Sequence, residues 1–371
     1  MTLKNTSIQE ENKAFNLHLL NMGWSPFFQE QLEQKDIASS PARVIGVRKN
    51  CFLVNRRKGE QLVTMAGSLM NDNAVCYPAV GDWVLLRDSI IISILSRQNA
   101  LIRNASGGRK RKNAEVSTQE QIMAANIDKT FIVCGLDRDY NLRRIERYLT
   151  MVYNCGIIPE IILTKADLHQ CSSPYVDEVE SVAFGVPVYL VSAEDEEVIT
   201  CLKRNLTHGK TVALVGSSGA GKSTLINRLY GEEIQATRSV SKSLGKGKHT
   251  TTNRDLIVLP SGGMVIDNPG IREIGLGGGG SSTESTFPEI DELSRLCKFQ
   301  DCSHTHEPGC QVLEAVSTGK ITAARLKSYQ KIMRELAYSI HRETKGSARV
   351  EKEQWKEVSQ KIKNIKKLRN T

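Results

Sequence analysis

Aromatic residues are scarce in this sequence, at 5% of 371 residues. No uninterrupted apolar run approaches the roughly 20 residues a membrane-crossing helix needs, so no transmembrane helix is predicted. The N-terminus carries Glu10 and Glu11 and lacks the apolar core of a secretory signal. No internal repeat is present, which sets aside repeat architectures. With export and membrane insertion unsupported, the expected location is cytoplasmic, with no membrane partner.

The chain has length for two or three domains, each with its own core. A quarter of its residues are charged, ordinary for a globular protein. Six of the nine cysteines (Cys51, Cys76, Cys134, Cys155, Cys171 and Cys201) are scattered in mostly apolar surroundings and read as reduced thiols. The other three, Cys297, Cys302 and Cys310, are clustered. The net charge of +9 is also clustered: residues 320–371 hold fifteen Lys or Arg against five Glu. A local excess of that size suits a polyanionic partner, although a solvated lysine-rich helix face has the same composition.

Residues 1–41 read as a polar extension. Five short β-type runs then fall between 42 and 104: Arg43–Val47, Cys51–Asn55, Gln61–Met65, Asp82–Leu86 and Ile90–Leu95. Five strands in about sixty residues predict a small barrel, most simply an OB-fold, with an SH3-like barrel as the other pattern. A basic turn-rich stretch, Arg103–Lys112, follows. Strands and helices alternate from 113 to 276, as in a doubly wound, mostly parallel sheet. A Gly/Ser-rich connector spans 277–290. Residues 291–371 hold the cysteine cluster and helical stretches, including an apolar stripe of Trp355, Val358, Ile362 and Ile365 that reads as core packing.

The segment Gly216-Ser217-Ser218-Gly219-Ala220-Gly221-Lys222-Ser223 fits the phosphate-binding pattern G-x-x-x-x-G-K-[ST], between an apolar strand and a helix that continues through Thr224. Glycines let successive backbone N–H groups face a β-phosphate. Lys222 would bridge β- and γ-phosphates, and Ser223 would ligate Mg²⁺. About fifty residues on, Asp267-Asn-Pro-Gly270 ends a strand: Asp267 is a candidate Mg²⁺ carboxylate, and Gly270 N–H a γ-phosphate sensor. Thr164-Lys165-Ala166-Asp167 also ends a strand. Asp167 can accept from N1–H and N2–H₂ of guanine, donors that adenine lacks, while the Lys165 stem packs along the ring. Ser192-Ala193 ends another strand, where the Ala193 N–H can reach guanine O6. GTP is therefore the expected nucleotide.

The motifs run in an unusual order, because base recognition precedes the phosphate loop. This is a circular permutation, which leaves Asp267–Gly270 leading directly into the C-terminal region. In the Ser/Lys/Gly-rich stretch between them, Thr251 is the preferred further Mg²⁺ ligand, with Thr250 and Thr252 as competitors. Ile271 stands where GTPases often carry a water-positioning Gln. His249 is the candidate substitute, and slow intrinsic hydrolysis accelerated by a partner is expected.

Cys297-x₄-Cys302-x-His304-x₅-Cys310 offers three thiolates and an imidazole, a closed shell for one structural Zn²⁺, with His306 as the alternative imidazole.

Taken in this order, the motifs resemble those of the circularly permuted small-ribosomal-subunit biogenesis GTPases, the ribosome small-subunit-dependent GTPase A family. The resemblance spans about residues 42–340. It rests on Val80-Gly81-Asp82, Ala125-Asn126-Ile127-Asp128, Thr164–Asp167, Gly216–Thr224, Lys248–Thr252, Asp267–Gly270 and the Cys297–Cys310 ligands. It implies an OB-fold, a permuted P-loop GTPase domain and a C-terminal helical zinc domain. It also implies a late maturation factor that binds the small subunit, contacts its rRNA and leaves on GTP hydrolysis. Thr164 in place of the commoner Asn, and Asn268 in place of Thr, depart from the usual GTPase pattern. A monomer is expected. Two other readings predict different chemistry. A GTP-switched zinc and OB nucleic-acid-binding module would lack significant turnover, and a P-loop ATPase or kinase would be indifferent to Asp167→Asn.

Overall fold

The computed structural model describes residues 17–33, 39–49, 51–57, 59–70, 77–104, 120–192, 195–234, 255–267 and 286–345, with backbone alone for 103, 104, 120, 121 and 338–345. The chain forms two compact units: Met1–Leu101 with Ile122–Arg272, and Ile102–Gln121 with Glu273–Thr371. No helix among the described residues is long and apolar enough to cross a membrane.

In the first unit, β1 (Ser40–Val47), β2 (Phe52–Arg56), β3 (Gly59–Met65), β4 (Trp83–Arg87) and β5 (Ile90–Ile94) close a barrel in the order β1-β2-β3-β5-β4. β3 and β5 pair in parallel while the other neighbours are antiparallel, which is OB-fold connectivity. The inward residues Ala42, Val44, Phe52, Val54, Val63, Val84, Leu86 and Ile91 form its core. Alternation along β2 and β3 places one face inside and one in solvent. A short helix, α1 (Pro26–Glu33), follows helical residues 17–21. The segment read as a polar extension thus buries Leu19, Met22, Trp24 and Phe28, with Trp24 edge-on to Trp83 at 4.7 Å between ring centroids.

Beyond a two-stranded ribbon of β6 (Ala100–Asn104) and β7 (Glu120–Ala125), the same unit holds a six-stranded sheet. Its strands are β8 (Lys129–Gly135), β9 (Ile158–Thr164), β10 (Val188–Val191), β11 (Thr211–Val215), β12 (Leu256–Val258) and β13 (Met264–Asp267), in the order β10-β9-β8-β11-β13-β12. All pairs are parallel except β12 with β13. β8, β9 and β11 are buried nearly throughout, as strands covered on both faces must be. The helices α3 (Leu142–Asn154), α4 (Ser173–Glu180), α5 (Glu196–Asn205) and α6 (Lys222–Tyr230) connect them, with Asn141 and Asp195 accepting from the free N–H groups of Arg144 and Val198 at the starts of α3 and α5. A further short helix, α2 (Gly67–Met70), lies between β3 and β4.

The Val80-Gly81-Asp82 and Ala125–Asp128 motifs form the joint between barrel and sheet. Gly81 has φ +92°, and a Cβ there would stand 2.1 Å from the Ala125 carbonyl oxygen, so only glycine fits. Asn126 Nδ2 donates to the Gly81 carbonyl at 3.0 Å, and Asp128 Oδ2 accepts from Thr211 N–H at 2.8 Å. Asp82 is fully buried in a bidentate pair with Arg97, at 2.6 and 2.7 Å. Arg43 is buried at the centre, its guanidinium donating to the carbonyls of Met22, Gly81 and Asn126, over the Trp83 ring. Burial lowers its pKa to about 10, against the raising effect of Asp128 and Asp82. Arg43→Ala would strand these buried acceptors. Losing charge-assisted bonds of this kind should cost about 4 kcal/mol, read as a lowered urea midpoint with unchanged slope.

The second unit contains α7 (Pro288–Ser294), α8 (Gln311–Ser317) and α9 (Ala323–Lys345). Arg325 ties it together: its guanidinium stacks on Phe287 at 4.3 Å, pairs with Glu289 at 2.7 Å and donates to the Thr286 carbonyl at 2.7 Å. The stripe from Trp355 to Ile365 and most of the basic tail lie outside the described residues.

Candidate functional site

Parallel pairing brings the sequence motifs to one edge of the sheet. Thr164 registers with Gly135 on one side and Val191 on the other, and Asp267 registers with Leu214. The carboxyl ends of β8, β9, β10, β11 and β13 therefore converge. The loop after β11 lies beside β8, where the chain direction of sheet-building reverses, the usual crevice for a ligand in such sheets.

Gly216 begins the loop with its Cα against β8. A Cβ there would stand 2.3 Å from the Val133 carbonyl oxygen. Gly221, at φ +95°, ends the loop at the start of α6, and its hypothetical Cβ would meet Thr164 Oγ1 at 3.0 Å. Between them Ser218 and Gly219 are exposed and Ala220 is buried. Lys222 is buried, and its ammonium donates to the carbonyls of Gly216 at 2.9 Å and Ser217 at 2.6 Å. Burial lowers its pKa, while Asp267 and Asp139 oppose that shift. Ser223 and Thr224 occupy the first turn of α6. Such a loop presents backbone N–H groups and one ammonium to an anion.

The base-recognition segment is bound to this loop. Thr164 Oγ1 donates to the Ala220 carbonyl at 2.6 Å, so its hydroxyl supports the phosphate loop. Lys165, at φ +62°, donates to the Gly219 carbonyl and to Asp137, each at 2.7 Å. Asp167 lies on the 3₁₀ turn Ala166–Leu168 and is exposed, its carboxylate an acceptor with no donor of its own. Ser192 lies just past β10.

Three residues of this edge were missed in the sequence: Asp137, Asp139 and Arg144. Asp137 pairs with Lys165, while Asp139 accepts from both Ser217 and Arg144. The loop after β8 thereby holds the phosphate loop at Ser217 and the base-recognition segment at Lys165. Acidic residues next to a helix N-cap read as capping alone, and nothing in their spacing shows what they face across the sheet. Ala193, His249, Thr250, Thr251, Thr252, Asn268, Gly270 and Ile271 lie outside the described residues.

Asp267 is buried, and burial raises its carboxyl pKa, with Lys222 the opposing charge. A divalent cation carried in with a nucleotide would relieve that burial cost. The donor set of the Asp267 carboxylate and the Ser223 hydroxyl suits a hard, oxygen-preferring ion such as Mg²⁺.

In the second unit, the ligand atoms of Cys297, Cys302, His304 and Cys310 all lie within 4.8 Å of one another and could hold a metal ion. Cys297 Sγ is 3.9 Å from Cys310 Sγ, and His304 Nδ1 is 3.7 and 3.4 Å from those two sulfurs. Tetrahedral bonds of about 2.3 Å to sulfur and 2.0–2.1 Å to nitrogen give separations of about 3.5–3.8 Å. His304, at φ +54°, is buried beside the thiols, whereas His306 is exposed and its Nδ1 contacts Thr305 Oγ1. Gln330 of α9 donates to the His304 carbonyl at 2.7 Å.

These features define the class: a circularly permuted P-loop GTPase with an N-terminal OB-type barrel and a C-terminal Cys/His cluster. A family model described as RsgA GTPase matches residues 94–277, and one described as 50S ribosome-binding GTPase matches residues 211–367. The small ribosomal subunit biogenesis GTPase RsgA of Opitutus terrae is 40% identical, covering 92% of this chain and 96% of that protein. A protein of the same description from Syntrophotalea carbinolica is 43% identical over 86% and 90%. The crystal structure of YjeQ from Thermotoga maritima has a TM-score of 0.57 at 26% identity, covering 81% of this chain and 99% of that one. That of YloQ, described as a circularly permuted GTPase, has a TM-score of 0.54 at 23% identity, covering 81% and 95%, and shares the fold. The chain belongs to the RsgA family of small ribosomal subunit biogenesis GTPases, and it is a GTP hydrolase.

Proposed function

We propose that this protein binds the small ribosomal subunit late in its maturation and hydrolyses GTP there. What supports this most is the agreement between the permuted nucleotide edge and relatives described as small-subunit biogenesis GTPases over nearly their whole length. In this reading Asp167 selects guanine, with Lys165 along the ring, Thr164 and Ala166 supporting them, and Ser192 and Ala193 closing on O6. Residues 216–224 hold the phosphates, with Lys222 stabilising charge that develops on transfer. Ser223, Asp267 and Thr251 hold Mg²⁺, Gly270 senses the γ-phosphate, and His249 helps place the water. Cys297, Cys302, His304 and Cys310 hold one structural Zn²⁺. The barrel and the metal-bearing unit with its basic tail supply the rRNA contacts. The protein acts as a cytoplasmic monomer.

The test is GTP turnover measured alone, with purified small subunits and with large subunits. Stimulation by small subunits only is the expected result. Equal turnover in all three would sink the proposal and favour a GTP-switched binding module.

A further inference from the structure

The barrel and the nucleotide sheet are joined at a second place, further along β1 from Arg43. Gly46 of β1 forms an antiparallel bridge with Asp255, the residue that precedes β12. Arg48, two residues further on and just past the end of β1, pairs with the Asp255 carboxylate at 2.6 Å. The close approach is specific: a Cβ on Gly46 would stand 2.7 Å from Asp255 Oδ1. On its other side, the Asp255 carbonyl accepts from the Asp267 N–H at 3.2 Å. A path of contacts thus runs from barrel strand β1 through Asp255 to the backbone of Asp267, at the phosphate edge. Arg48 and Asp255 are both partly exposed, at 30% and 38% of the side chain, so a polyanion seated on the barrel can reach the pair.

We propose that the Arg48–Asp255 pair is a positioning contact through which occupancy of the barrel by the small subunit sets the placement of Asp267 and so the rate of GTP hydrolysis. This deepens the function proposed above and rests on it. Neither side chain touches nucleotide; both act through Asp267. An exposed ion pair contributes little to stability, so its removal should not unfold the protein. Its value lies in the coupling, and couplings between sites of this sort typically span 5- to 150-fold.

The experiment compares the full-length protein with Asp255→Asn, Arg48→Glu and the exchanged pair Arg48→Asp with Asp255→Arg. For Asp255→Asn, unstimulated turnover and KM for GTP should stay within about twofold, and small subunits should still be bound in pelleting assays. Subunit-stimulated kcat should fall about tenfold. Arg48→Glu should lose stimulation likewise, and the exchanged pair should recover most of it. Hydrogen exchange at the Asp267 amide, followed on the free protein, supplies a readout independent of turnover. Losing the pair should speed it about tenfold, because exchange senses rare openings whereas basal turnover senses the ground state. Full stimulation of Asp255→Asn, or no recovery in the exchanged pair, overturns the proposal. If wild-type protein is not stimulated at all, the functional reading above fails. Unchanged exchange at Asp267 would then overturn this inference as well, whereas faster exchange would sustain the positioning contact without the subunit.

Discussion

Asp167→Asn should weaken GTP binding by about 10²–10³-fold and confer measurable affinity for xanthosine triphosphate. The carboxylate at the 3₁₀ turn Ala166–Leu168 only accepts hydrogen bonds, and guanine offers two donors on the matching edge. An Asn places an NH₂ where one acceptor stood, so a bond is lost and two donors oppose each other. Two charge-assisted bonds at roughly 1.5–3 kcal/mol each account for the size of the loss. Xanthine carries a carbonyl in place of the 2-amino group, so the same NH₂ finds an acceptor. Titration with fluorescent GTP, XTP and ATP analogues checks it. Unaltered GTP affinity would show that Asp167 does not read the base. An equal loss for GTP and ATP would show a collapsed phosphate loop instead, since Lys165 connects the two through the Gly219 carbonyl.

The second large effect belongs to the Cys/His cluster. Cys310→Ala should abolish binding of one zinc per chain and melt residues 286–337, while guanine nucleotide binding persists. Cys310 has two duties. Its sulfur lies within ligand distance of His304 and Cys297, and it also accepts from the Leu313 N–H to cap α8. Metal binding to such a site contributes about 10 kcal/mol or more to folding, well beyond what three helices around Ile290, Val312 and Ile332 supply. The nucleotide unit has its own core of Phe131, Val133, Ile162, Leu214, Leu225 and Val265, which contains none of these residues. Metal analysis, far-UV circular dichroism and GDP binding, run on the same samples, separate the effects. Retention of both metal and helicity in the variant would remove Cys310 from the shell.

Much of this architecture is legible in the sequence because burial writes a period into it. The barrel strands β2 and β3 alternate, and the central strands β8, β9 and β11 hold the apolar runs Phe131–Cys134, Ile161–Leu163 and Val212–Val215. The phosphate loop is legible for a different reason: at Gly216 the Val133 carbonyl leaves no space for a side chain, and Gly221 has φ +95° with the Thr164 side chain close by. What the sequence conceals is polar groups that act across the fold. Arg43 looks like a surface arginine at the start of a strand, yet it is buried and binds three carbonyls from three separate segments. Asp139 gives no sign that it faces Ser217, because 78 positions separate them. The packing of Trp24 and Phe28 on Trp83 depends on a barrel formed later in the chain, which nothing in their local spacing shows.

The permuted strand order also has a consequence for biosynthesis. A nascent chain leaves the ribosome from its N-terminus, at about 5–20 residues per second, and domains fold as they emerge. The barrel and strands β8, β9 and β10 emerge before residue 211, so the base-reading ends of the sheet exist before the phosphate loop is made. β11 must then insert beside β8, on the side away from β9, and β13 must follow before Asp267 is in place. A growing chain therefore cannot hold GTP by its phosphates until the sheet is nearly complete. Nucleotide capture becomes a late event in the protein's own synthesis, confined to chains whose barrel is already folded.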